Sequence, residues 1–134
     1  MSSAPSFQEK SKQSLLSAEL LIKEHIYCSS VHCSFYSCVQ NMFHVLFVKK
    51  KIDKEQFNVD AKYNGSSHRH AKKLIENELM SAQKYSDYKW FQKNFPELKL
   101  LREKADYSDE FILQGEVQDA LNKANAINSL VNKI

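Results

Sequence analysis

The 134 residues of this chain are enough for one domain with a buried core, and its 43% of apolar residues excludes a disordered protein. Two glycines and two prolines are too few for the turns of a sheet-rich domain, so residues 1–134 are predicted to form a single all-α domain of few, long helices. A net charge of +3 permits a nucleic-acid partner and does not require one.

The N-terminal part of the chain carries a helix start signal. Residues 1–5 are predicted to be a flexible tail, and Ser6 with Glu9 three residues later forms a capping-box pattern. Apolar residues at helical spacing follow this cap, so a first helix is predicted to continue to about His25.

The second predicted helix, from Ser29 or Ser30 to Lys50, carries two adjacent apolar stripes. Together they cover roughly 200° of its circumference, at about 100° per residue. A helix with so broad an apolar surface either lies at the centre of a bundle or also faces a partner subunit. Both interpretations stay open.

The middle of the chain is predicted to alternate between irregular segments and helices. Residues 52–67 are expected to be an irregular crossing, because they contain the turn dipeptide Asn64-Gly65. Ser66 or Ser67 then caps a third helix to about Ala82.

The C-terminal part is predicted to contain a proline-interrupted segment and a last long helix. Residues 83–95 are expected to be a connection with a short helix, and Pro96 interrupts it or begins the next helix, Glu97 to about Tyr107. After a break at residues 108–110 the last helix continues to about Asn132.

Several kinds of chemistry are excluded by pattern, and no cofactor or metal is expected. No glutamate has a histidine three residues later, as a di-iron bundle requires, and there is no Gly-rich phosphate loop and no Cys-x-x-Cys pair. Cys28, Cys33 and Cys38 recur every five residues, so successive thiols are turned by roughly 140° around a helix. Reduced thiols are therefore expected. No secretory signal and no membrane-spanning run is recognised, and a cytoplasmic location is predicted.

The segment Leu101-Arg102-Glu103-Lys104-Ala105-Asp106-Tyr107 is the first candidate site. Arg102 and Asp106 stand four residues apart, so they share one face of a helix, and Tyr107 follows where that helix ends. A planar guanidinium is well matched to phosphate, so these three residues are candidate catalytic or anion-binding residues. The alternative is an ion pair and a packed phenol that fix the geometry of two helices.

The segment His68-Arg69-His70 is the second candidate, at the predicted start of the third helix. His68 and His70 are candidate catalytic residues, and Arg69, Lys72 and Lys73 are candidate contacts to RNA or another anion. A solvated helix start explains this basic patch equally well. Two more histidines, His32 and His44, lie on the second helix and are interpreted as hydrogen-bonded structural residues.

A family resemblance rests on four segments: residues 17–21, Cys33 through Leu46, Arg102-x-x-Ala105-Asp106-Tyr107, and residues 120–127. Together they resemble the HEPN superfamily, in particular a prokaryotic branch that carries an Arg-x-x-Ala-Asp-Tyr element. The resemblance implies an antiparallel four- to five-helix bundle that dimerises through its long helices. Many HEPN proteins are metal-independent RNases, and many are encoded with a minimal nucleotidyltransferase in toxin–antitoxin or defence pairs.

The chain departs from the nuclease pattern of that family. In the family the catalytic arginine is followed by a histidine four to six residues later, and no histidine follows Arg102 here. Metal-free RNA cleavage needs groups that accept and donate protons near neutral pH, which an imidazole does well. Tyrosine, with a reference pKa of about 10, is a poor base.

Three functional hypotheses follow from this departure. In the first, the chain is a HEPN-like helical homodimer without catalysis of its own. It acts with RNA or a nucleotidyltransferase-type partner in a toxin–antitoxin or phage-defence system. In the second, it is a metal-independent endoribonuclease that uses Arg102 and a histidine from another segment. In the third, it is an accessory subunit of a larger assembly.

Overall fold

The computed structural model describes residues 6–134, and the predicted flexible tail at residues 1–5 lies outside the described residues. Within 6–134 the chain is helical and contains no strand, which confirms the predicted all-α class. A short π-helix, Val45–Lys49, directly follows the second of six α-helices: α1 (Phe7–Lys23), α2 (Tyr27–His44), α3 (Lys54–Tyr63), α4 (Ser67–Ser81), α5 (Tyr85–Tyr107) and α6 (Gln114–Asn132).

The helix α2 lies at the centre of the fold. It contacts α1, α4, α5 and α6. Its apolar side chains are buried inside the single protomer, among them Val31, Phe35 and Met42, each fully inaccessible to solvent. The broad apolar surface predicted for this helix is therefore used to form the core of one chain, so it provides no argument for a partner subunit.

Small polar residues bring α1 and α2 close together. The hydroxyl of Ser11 donates to the carbonyl oxygen of Ser37 at 2.6 Å, and the hydroxyl of Ser30 donates to the carbonyl oxygen of Ala18 at 2.8 Å. These buried hydroxyls are satisfied by backbone of the same helix pair, so their burial does not leave an unpaired group. The predicted cap is present as well, since Ser6 Oγ accepts from the backbone N–H of Glu9 at 3.2 Å.

The prediction of an irregular crossing at residues 52–67 is wrong, because this segment contains the helix α3. Asp53 caps it, its Oδ2 accepting from the backbone N–H of Gln56 at 2.9 Å. Phe57 and Ala61, one turn apart, are buried against the core. The predicted turn is real, since Gly65 has a φ of 98°. The predicted cap of α4 is also confirmed, because Ser66 Oγ accepts from a backbone N–H in its first turn.

The prediction that Pro96 separates two helices is also wrong, because α5 continues through it from Tyr85 to Tyr107. An internal proline costs a helix about 3 kcal/mol. The rings of Phe91 and Phe95 stack at 5.4 Å, and Phe95 also stacks on Phe35 of α2 at 5.5 Å. Burial of these side chains before the proline, and of Leu98 just after it, offsets its cost and keeps the helix continuous.

The end of the chain follows the prediction. Residues 108–113 separate α5 from α6, and the buried face of α6 includes Val117, Ala124 and Ile127. Among the described helices, none is long and apolar enough to cross a membrane.

Candidate functional site

The guanidinium of Arg102 lies buried where α5 crosses α2. The residue is 5% exposed. Its Cζ atom lies 4.9 Å from the ring centre of Phe35, 5.7 Å from that of Tyr36 and 5.5 Å from that of Tyr107. A guanidinium can stack on aromatic faces because its charge is delocalised and weakly hydrated. Three aromatic rings thus hold this cation at the helix junction.

The polar contacts of Arg102 are incomplete. Its Nη1 donates to the hydroxyl oxygen of Tyr107 at 3.3 Å and lies 3.7 Å from Asp106 Oδ2, an ion pair one helical turn apart. Its buried Nε, however, has no hydrogen-bond partner within residues 6–134. A buried donor without a partner costs about 1–3 kcal/mol. Stability alone gives no reason to keep such a group.

A histidine from α2 completes the cluster. His32 Nδ1 lies 2.8 Å from Asp106 Oδ2, and the side chains are 48% and 19% exposed. The imidazole ring also packs on Tyr36, with ring centres 4.7 Å apart. When Nδ1 carries the hydrogen and donates to the carboxylate, Nε2 is left as an acceptor. The ring is therefore oriented by Asp106 and still open to solvent.

Sequence reasoning assigned a structural role to His32 and did not place it in the site. The family pattern places a catalytic histidine shortly after the arginine, and the candidates from the sequence are His68 and His70, whereas His32 comes 74 residues before Asp106. One signal was available: His32 stands one helical turn before Tyr36 and directly precedes the segment that carries the family resemblance. That spacing places both side chains on one face, but it does not show that α5 crosses there.

A cavity of about 400 Å³ opens beside the histidine and the carboxylate. It is lined by Cys28, Ser29, His32, Cys33, Ala105 and Asp106. Burial and the nearby carboxylate of Asp106 raise the pKa of the Cys33 thiol. A thiol is a nucleophile or a metal ligand only as thiolate, so this environment disfavours both roles. Among the described residues no cluster of side chains suited to a metal ion is found.

His44, His68 and His70 lie in three different places. The rings of His68 and Phe35 pack nearly perpendicular to each other, with their centres 5.8 Å apart. Arg102 packs on the same Phe35 ring. His70 is buried, packs on Phe57 and pairs with the side chain of Asn64 at 2.9 Å. Burial first, and then the cations Lys49 and Lys12, lower the pKa of His44. Of the candidates His68 and His70, therefore, the structure brings only His68 near Arg102.

The residues of the predicted basic patch do not all lie on one side of the helix α4. Arg69 and Lys72 line a second cavity, of about 300 Å³, together with His68, Phe95, Pro96 and Lys99. Lys73 is exposed and does not line it. Burial first, and then the cations Lys99, Arg102 and Arg69, lower the pKa of His68, while Glu103 raises it.

A scan of protein-family models and searches of curated proteins and of solved structures give no match to this chain. An oriented, half-exposed imidazole can accept and donate a proton. A guanidinium and a phenol beside it can bind an anion. Together these groups suit a reaction at a phosphate ester.

Proposed function

We propose that this chain is a HEPN-like helical protein that cleaves RNA without a metal ion, with His32 replacing the histidine that its Arg102 segment lacks. The observation that supports the proposal is the 2.8 Å contact between His32 Nδ1 and Asp106 Oδ2 beside the buried guanidinium. It supplies the imidazole whose absence from the C-terminal segment argued against catalysis.

The proposed reaction is an internal transfer at one phosphodiester. Nε2 of His32 accepts the proton of a ribose 2′-hydroxyl as its oxygen forms a bond to phosphorus, and the bond from phosphorus to the 5′-oxygen breaks. The leaving 5′-oxygen takes a proton from the Tyr107 hydroxyl. Because Arg102 Nη1 donates to the Tyr107 oxygen at 3.3 Å, the phenol hydrogen is free to be given away. Positive charge from Arg102 stabilises the developing oxyanion.

We also propose that the active form is a homodimer, as the resemblance implies. Three apolar side chains near the C-terminal end of α5 are 64–87% exposed: Leu100, Phe111 and Leu113. A second copy that covers them would remove this apolar surface from water. Measurement of the mass in solution tests this part of the proposal, and a monomer at micromolar concentration contradicts it.

A second candidate function is supported by the burial of Arg102. Its side chain is 6% exposed and the Tyr107 hydroxyl lies against it, so the cluster in this state resembles a lock between helices. In that case the chain is a non-catalytic HEPN-like dimer. We propose that it would then act with a nucleotidyltransferase-type partner in a toxin–antitoxin or phage-defence pair.

Cleavage assays on structured and unstructured RNA, with and without EDTA, separate the two functions. The enzymatic function predicts cleavage that survives chelation and leaves a 2′,3′-cyclic phosphate. The rate of this cleavage should fall by about 10²–10⁴-fold in His32→Gln. His25→Gln is the matched control, because His25 is an exposed histidine that bonds to Tyr27 away from the cluster. Equal cleavage by wild type and His32→Gln, purified side by side, rejects the proposal that this chain is a ribonuclease that uses His32. No cleavage, with a stable complex on a co-expressed nucleotidyltransferase, supports the second function.

A further inference from the structure

The cavity between α4 and α5 is a second site, apart from the His32 cavity. Its floor is apolar, formed by Phe95 and Pro96, and its rim carries Lys99 from α5 and three residues from the first turns of α4: His68, Arg69 and Lys72. Cationic groups from two helices thus surround a volume of about 300 Å³. Volumes of this size are at the small end of ligand sites.

The charges around this cavity do not cancel within its lining. Lys72 pairs with Glu76 at 3.1 Å and Lys99 pairs with Glu103 at 3.7 Å, both one turn further along their own helices. Neither glutamate lines the cavity. An i,i+4 pair open to solvent contributes only about 0.3–0.5 kcal/mol, so Lys99, whose partner Glu103 is 42% exposed, can turn to another anion at little cost.

Arg69 is the cation with no competing partner in the described part of the chain. Its backbone N–H is bonded to the helix cap, while its guanidinium makes no hydrogen bond or ion pair within residues 6–134. The guanidinium rests against Gly65, where an added Cβ would come within 2.9 Å of Nη1. The glycine therefore leaves room for the arginine at the rim of the cavity.

We propose that this cavity binds a phosphate group, held by Arg69 and Lys99 with Lys72 as a third donor. A guanidinium and an ammonium group of α4, together with an ammonium group of α5, present many N–H donors to one compact anion, which fits the oxygens of a phosphate better than a single carboxylate. Inorganic phosphate, a nucleotide and an RNA strand all present the same oxygens, and the binding test below distinguishes them. The site stands whether or not the chain cleaves RNA.

The histidine at the rim reports on occupancy without any mutation. His68 is faced by Lys99, Arg102, Arg69 and Glu103. A bound dianion opposes the effect of those cations, so phosphate should raise the titration midpoint of the His68 ring in NMR spectra. His25, outside the cavity, should not respond. A phosphate-dependent shift at both histidines alike, or at neither, overturns the proposal.

The binding test compares inorganic phosphate, a 5′-nucleoside monophosphate and a short oligonucleotide with and without a 5′-phosphate, all at low salt. Arg69→Gln combined with Lys99→Gln should weaken binding by about tenfold or more. Lys73→Gln is the matched control, a lysine on the same helix that does not line the cavity. Equal weakening by the control identifies a diffuse charge effect and overturns the site. A preference for the 5′-phosphorylated strand assigns the ligand to a terminal phosphate, and equal binding of both strands assigns it to an internal one.

Discussion

Two ion-pair clusters lie two residues apart on α5 and differ in how completely their polar groups are bonded. Lys104 Nζ lies 2.9 Å and 3.1 Å from the two carboxylate oxygens of Glu116, and Glu116 Oε1 accepts from the backbone N–H of Leu113 at 3.0 Å. This corner cluster fixes the start of α6 to α5. In the Arg102 cluster, by contrast, a buried Nε has no partner within residues 6–134, and His32 is half exposed.

The difference separates a polar cluster that stabilises the fold from one that is available for chemistry. The corner cluster satisfies its own donors and acceptors and caps a helix, which is what a structural role requires. The Arg102 cluster keeps an unsatisfied donor and an open imidazole, and such exceptions deserve a functional explanation. Variants of matched type in the two clusters test this interpretation.

The largest expected effect is on the rate of RNA cleavage, compared between two isosteric variants. Asp106→Asn removes the carboxylate that orients His32, and RNA cleavage should fall by about 10²–10⁴-fold while folding is kept. Glu116→Gln should change the cleavage rate by less than about twofold, because the corner cluster does not face the His32 cavity. The cleavage rates of both variants are measured against wild type. Equal losses in the two variants would contradict the separation of a catalytic cluster from a structural one.

The next effect is on stability, and only the variant of the corner cluster should lose it clearly. Arg102→Met replaces a buried cation with an apolar chain and removes the unpaired Nε, while Asp106 keeps His32. Its free energy of unfolding should stay within about 1 kcal/mol of wild type or rise. Lys104→Met should lower stability, since Glu116 loses its partner. Urea unfolding measures both, and a loss above about 3 kcal/mol in Arg102→Met would identify a structural lock.

A smaller effect is the acid sensitivity of the corner cluster. The backbone N–H of Leu113 and then Lys104 lower the pKa of Glu116 from its ordinary 4.5. The unfolded state therefore binds the proton more readily, so this stabilisation is present above pH 4.5 and is lost as pH falls through the folded value. Glu116→Gln should cost about 0.5–1 kcal/mol at pH 7 and less at pH 3. An unfolding series from pH 7 to 3 checks the loss, and a constant difference contradicts it.

The smallest expected effect is the pH dependence of stability that His68 contributes, in a higher pH range than that of Glu116. Burial and then Lys99, Arg102 and Arg69 lower the pKa of His68 from 6.5. The unfolded state again binds the proton more readily, so the contribution of His68 is complete above pH 6.5 and declines as pH falls toward the folded value. His68→Gln should flatten the stability profile between about pH 7 and 5. His25→Gln is the control, and an unchanged slope in His68→Gln rejects the assignment.

The helices could largely be predicted from the sequence, and the two errors have physical causes. The cap residues Ser6 and Ser66 and the breaks at 24–26 and 108–113 follow local rules that need no tertiary contact. The helix α3 was missed because its apolar residues are few, and it is held by burial of Phe57. Continuity through Pro96 depends on Phe91 and Phe95 packing on Phe35 of another helix.

The candidate site was half predictable, for the same reason. By itself the sequence determined the pairing of Arg102 with Asp106 and the position of Tyr107, because residues four and five apart on a helix are neighbours. The tertiary structure alone decided which histidine joins them. Crossing of α2 over α5 brings His32 to Asp106 across 74 residues, and Phe35 of α2 packs against both Arg102 and His68. Such contacts arise from the packing of whole helices, which no spacing rule within one segment encodes.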